Sequence, residues 1–254
     1  MQVRFTPAVK GLLIACVAIF FVQQTADQFL GQHLLEIFAL TPSSVINGHR
    51  IWQLFTYSFL HADVMHLFFN LLMLAFIGGE LESTWGTARF LRFYFICATF
   101  AGLCYLLLNI LVWQDIPMVG ASGALYGILM AYGLLFGERV LLFMMLFPMK
   151  ARYFVWILAA VEFTTSLFSG RGALSSVAHL GGMAAGFAMV WGRAAWTVYR
   201  RSTQQARESA PRKKRLKDSK HLKLVVNRGR GAGTGPGSGH DGDSDADGDP
   251  KTWH

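Results

Sequence analysis

Six apolar runs, near 11–24, 64–79, 90–113, 120–136, 153–168 and 173–192, constrain this chain more than any other feature of its sequence. Several approach the ~20 residues an α-helix needs to cross a hydrocarbon core. Inside that core every backbone N–H and C=O must be satisfied within the structure. Charged residues form 15% of the chain, against about 25% in soluble domains, and the mean hydropathy is +0.38. The fold class read from this pattern is an all-α membrane protein: a bundle of six transmembrane helices. Run 64–79 contains His and Asn, so it needs protein rather than lipid around it. The first run is not followed by a small-residue cleavage site and is read as a retained helix.

Positive charge orients the bundle. Arg4 and Lys10, Arg89 and Arg92, Arg139, Lys150 and Arg152, then Arg193, Arg200 and Arg201 fall at alternate joints, whereas the other joints hold only Arg50 and Arg171. The positive-inside bias places both termini in the cytoplasm. Residues 1–199 form the membrane domain and 200–254 a tail with 13 Lys and Arg against 7 Asp and Glu. The basic first half of the tail is expected to favour anionic headgroups, and the Gly- and Asp-rich second half to be disordered. Asp243, Asp245, Asp247 and Gly248 imitate the start of a calcium loop, but His254 stands where a bidentate Glu is required, so no metal is assigned. Cys16, Cys97 and Cys104 read as buried helix thiols. The first joint, roughly 25–63, is long for a connector. It is expected to hold short helices embedded against the bundle, with Trp52 and Tyr57 at headgroup depth.

Polar side chains inside a bilayer are costly, so each needs a partner or a purpose. His66 and Asn70 share one helical face. Ser122 and Tyr126 share another, beside the small-residue pair Gly123 and Gly127. His179 projects along the face carrying Gly182 and Gly186. Each set read alone has a bland explanation in interhelical hydrogen bonding or close packing. The nucleophile elbow of soluble hydrolases does not apply to Ser122, since Ala124 stands where its last Gly is required and no strand precedes it. Read together, the sets suggest chemistry. Two glycine-faced helices can bring a Ser and a His to hydrogen-bond distance, as general-base activation of a serine requires. A third polar group normally orients such a base. No Asp lies near His179 or Ser122 within the apolar runs, so Tyr126 is expected to hold the imidazole. His66, Asn70 and the backbone N–H of Ser122 could then donate to an oxyanion.

The ordered segments "WQLFTYSFLHADVMHLFFN", "GGELESTWGTARFLRFY", "GASGALYG" and "AHLGGMAAGF" resemble the rhomboid family of intramembrane serine proteases. The resemblance implies a six-helix bundle with a membrane-embedded first loop and an outward-opening aqueous cavity. It implies Ser122 as nucleophile and His179 as base, with His66 and Asn70 in the oxyanion site and Tyr126 packed on the base. His61 matches a family position without a catalytic role, and Glu82 matches an acidic residue fixing the second and third helices. One departure is Gln53 after Trp52, where the family often has Arg, which bears on the loop. The implied function is cleavage of transmembrane segments of other membrane proteins, with a preference for helix-weakening residues near the cut and a small residue before it. No metal or organic cofactor is implied. The partners are transmembrane substrates and membrane lipid, not nucleic acid; the oligomeric state stays open. The expected location is a bacterial inner membrane. The rivals are a non-catalytic membrane chaperone on the same scaffold, and a transporter or channel.

Overall fold

The computed structural model describes residues 4–29, 34–143 and 147–228. It divides into two units, Met1–Trp196 and Thr197–His254. Helix α1 spans Pro7–Phe29. Short helices α2 (Leu34–Phe38), α3 (Pro42–Ile46) and α4 (Gln53–Thr56) fill the first joint, and α4 runs on into a 3₁₀ turn at Tyr57–Phe59. Next come α5 (Val64–Met73), a π-helical turn at Leu74–Gly78 and α6 (Gly79–Trp85), which together make one span, Val64–Trp85. Helices α7 (Thr87–Leu111), α8 (Ser122–Leu135), α9 (Ala151–Phe168) and α10 (Gly170–Arg228) complete the order.

Among the described residues, five helices are long and apolar enough to cross a membrane. The expected fourth span differs: α8 has 14 residues, a rise of about 21 Å against a core of about 30 Å. Its shortness has a physical basis. Buried residues run almost unbroken along α8 from Gly123 to Gly133, so protein rather than lipid surrounds it. The outward faces of the neighbouring helices are apolar and exposed, including Ile14, Phe21, Phe100, Leu107, Trp156 and Phe163. That is the pattern of a bundle solvated by hydrocarbon. A feature outside the sequence reading is a small antiparallel hairpin, β1 (Val140–Phe143) with β2 (Phe147–Lys150), which joins α8 to α9. In the tail, the basic stretch is helical as far as Arg228. The Gly- and Asp-rich stretch, with its calcium-loop imitation, lies outside the described residues.

Two polar side chains hold the frame. The Glu82 carboxylate accepts from the backbone N–H of Ala8 at 2.8 Å and of Val9 at 2.9 Å, from Thr87 Oγ1 at 2.7 Å and from Thr6. It therefore caps the start of α1 as well as joining α6 to α7, a wider role than tying the second and third helices. Glu82 is buried, so truncation strands two backbone donors. Glu82→Ala is expected to cost about 2–5 kcal/mol in detergent unfolding, and Glu82→Gln distinctly less, because it keeps an acceptor. In the first joint, Gln53 is buried; its carbonyl accepts from Thr41 N at 3.1 Å and its amide donates to Ile37 O at 3.2 Å. Arg50 donates to Glu36 O at 2.7 Å, so a guanidinium three residues earlier serves the same loop backbone. Trp52 Nε1 donates to Ile37 O at 2.9 Å and remains partly exposed. Tyr57, expected at headgroup depth, is instead in the core, its hydroxyl donating to Ala98 O at 2.7 Å.

Candidate active site

The site begins with a sharp turn. Gly120 has φ +116°, a conformation L side chains rarely adopt, and its N–H donates to Tyr57 O at 2.9 Å. A β-carbon there would fall 2.6 Å from the His66 ring, so glycine lets this stretch of chain lie against His66, with Asn70 Nδ2 just beyond at 3.6 Å. Two residues later α8 starts at Ser122, with no side chain capping it. The first N–H groups of a helix lack intrahelical acceptors and carry its positive dipole end.

His66 and Asn70 arrive on α5. Asp63 is that helix's N-cap and accepts from His66 N at 2.8 Å, which fixes the first turn. Asn70 is buried, and its amide nitrogen has no hydrogen-bond partner among the described residues. His61 stands apart. Its backbone carbonyl accepts from Gln23 Nε2 at 3.0 Å, joining the loop to α1, and its ring lies edge-on to His66 at 5.3 Å. Burial pushes the His61 imidazole down to about 4, so it sits neutral at physiological pH.

His179 comes from α10, and the glycines explain its approach. A β-carbon on Gly182 would fall 1.9 Å from Gly123 O, and one on Gly186 would fall 2.4 Å from Gly127 O. Gly127 is closed on its other side by Cys97 Sγ, 2.5 Å from where its β-carbon would be. Gly182 and Gly186 of α10 thus each face a carbonyl of α8, one helical turn apart, and the backbones meet where any side chain would hold them apart. Across this seam His179 Nε2 lies 2.8 Å from Ser122 Oγ. The Tyr126 ring stacks on the imidazole at 4.2 Å and 7° between planes.

One residue escaped the sequence reading. Glu162, on α9, is buried, and its Oε1 lies 3.1 Å from His179 Nδ1. That oxygen stands off the line along which Nδ1–H would donate, so the contact is a close approach rather than a hydrogen bond, and Nδ1 lacks an aligned acceptor among the described residues. The same oxygen accepts from the Tyr126 hydroxyl. The expectation of an imidazole held by Tyr126 without an acid therefore needs correction: Tyr126 stacks on the ring, and an acid also faces it. Glu162 lies 17 positions before His179 and on a different helix, so local spacing in the sequence does not mark it as a partner. Its signal was its isolation, as an acidic residue within the apolar run 153–168.

The Rhomboid domain model matches residues 48–196. RHOMBOID-like protein 1 of Arabidopsis thaliana is 36% identical over 152 residues, covering 59% of this chain and 36% of the relative. RHOMBOID-like protein 7 of the same plant is 31% identical over 183 residues, covering 68% of this chain and 55% of the relative. This chain thus spans only about a third and about half of those two proteins. The Rhomboid domain match covers more than half of the chain and takes in Tyr57, His66, Asn70, Ser122, Tyr126, Glu162 and His179, and on that match the chain belongs to the Rhomboid family.

Proposed function

We propose that this protein is an intramembrane serine endopeptidase that cleaves transmembrane segments of other membrane proteins. The observation that carries the reading is the 2.8 Å approach of His179 Nε2 to Ser122 Oγ across a glycine seam. In the mechanism, His179 Nε2 takes the Ser122 proton as Oγ attacks the scissile carbonyl carbon. The carbonyl π pair moves onto oxygen as an oxyanion. His179 then returns the proton to the leaving amine as the C–N bond breaks, and water hydrolyses the acyl-enzyme by the same route in reverse. His66 and the Asn70 amide, which has no partner among the described residues, lie beside the Gly120 turn that leads into Ser122, and with the Ser122 N–H they are the donors for the oxyanion on this reading. Tyr126 restrains the imidazole by stacking.

Substrates on this reading are helices that unwind near the cut, because a peptide carbonyl must leave its own helix to reach Ser122. The alternation of basic joints supports both termini in the cytoplasm, and an inner-membrane location belongs to the same reading. A fluorophosphonate reacts only with an activated serine, so it tests the chemistry without a substrate. The folded protein in detergent is expected to label on Ser122, and His179→Ala to label at least about 10²-fold more slowly. Equal labelling of wild type and His179→Ala would contradict general-base activation and favour a non-catalytic scaffold.

A further inference from the structure

We infer that Glu162 is a positioning residue that turns the Ser122–His179 pair into a charge-assisted triad. This inference rests on the protease reading above and deepens it. Three observations converge. The carboxylate is buried at the meeting point of α8, α9 and α10, where an ionised group is retained only with partners. Its Oε1 lies 3.1 Å from Nδ1, the imidazole nitrogen facing away from Ser122, while Nε2 faces the hydroxyl. The hydrogen bond from Tyr126, the residue stacked on His179, fixes that oxygen beside the ring.

The chemistry follows from where charge develops. When Ser122 Oγ bonds to the scissile carbon, its proton passes to Nε2 and the ring becomes an imidazolium with protons on both nitrogens. Glu162 keeps its negative charge throughout and takes no proton. It favours the tautomer with the proton on Nδ1, leaving the Nε2 lone pair for Ser122, and it stabilises the positive ring. The resting contact is off-line, and a small torsion of the Glu162 side chain aligns Nδ1–H with Oε1 once the ring is charged. Such tightening is common between a free site and its reacting complex.

The alternative is that Glu162 only pins α9 to α8 through Tyr126. Glu162→Gln separates the two, because a glutamine keeps the shape and the acceptor oxygen for Tyr126 but removes the charge. Wild type, Glu162→Gln, Glu162→Asp and Ser122→Ala would be compared in detergent for fluorophosphonate labelling rate, and in proteoliposomes for kcat and KM on a transmembrane substrate. We expect Glu162→Gln to lose roughly 10²-fold in both labelling rate and kcat, the low end of general-base catalysis, with KM and Tm unchanged. Glu162→Asp, which keeps the charge, is expected to retain more of both rates than Glu162→Gln, and it remains informative should the glutamine variant fail to fold. A Glu162→Gln protein within twofold of wild type in both rates, or variants whose losses only follow a falling Tm, would overturn the triad while leaving the protease reading intact. Wild type that labels no faster than Ser122→Ala would overturn both.

Discussion

His179→Ala is expected to lower kcat for a transmembrane substrate by about 10⁴-fold or more, and Ser122→Ala to do the same. The double variant is expected to fall little further. The reason is that the two side chains act as one device: the hydroxyl is a weak nucleophile without its base, and the base has nothing to activate without the hydroxyl. Losses in such units are grossly non-additive. The residual rate measures what the oxyanion donors and substrate binding contribute alone. KM is expected to hold near its wild-type value, because neither group binds the bulk of a substrate helix. Single-turnover cleavage by the two single variants and the double variant checks this. Losses that multiply in the double variant would show that Ser122 and His179 act independently.

Gly182→Ala is expected to abolish activity by a different route. A methyl group at this position falls 1.9 Å from the Gly123 carbonyl oxygen, and no side-chain rotation relieves a clash with backbone. The helices must part, and His179 leaves hydrogen-bond reach of Ser122. A displacement of about 1 Å can cost 10²-fold in rate, and overpacking of this kind also costs about 1–3 kcal/mol of stability. The expected result is therefore loss of both cleavage and fluorophosphonate labelling together with a lower Tm. Gly192→Ala is the control, since a β-carbon there meets nothing within 4 Å and should change neither. A Gly182→Ala variant with wild-type activity would mean that the glycine seam does not set the distance between the two reactive side chains.

The sequence made some parts of this structure legible for identifiable reasons. Ser122 and His179 stand out because polar residues are rare in apolar runs, and glycines at helical spacing beside each predict two backbones that can touch. The structure does bring the pair together. His66 and Asn70 are four apart, so a single helix had to present both on one face. What stayed hidden depends on three-dimensional proximity that spacing does not encode. Glu162 reaches His179 from another helix, so no interval in the chain marks it as a partner. Tyr57 has the composition of an interfacial residue, and only the path of the first loop carries it into the core. Run 120–136 looks like a span by length, but Gly120 delays the helix until Ser122, and α8 is shorter than the run. The hairpin between α8 and α9 follows from register between two short segments, which carry no alternation strong enough to read.

The most direct measurement of the central claim is cleavage of a fluorescent transmembrane substrate in proteoliposomes by wild type and by Ser122→Ala, with folding of both verified by thermal unfolding. The account predicts cleavage by wild type and none above background by Ser122→Ala. Equal cleavage by the two would contradict it, because the peptide bond would then be broken without the hydroxyl that His179 faces.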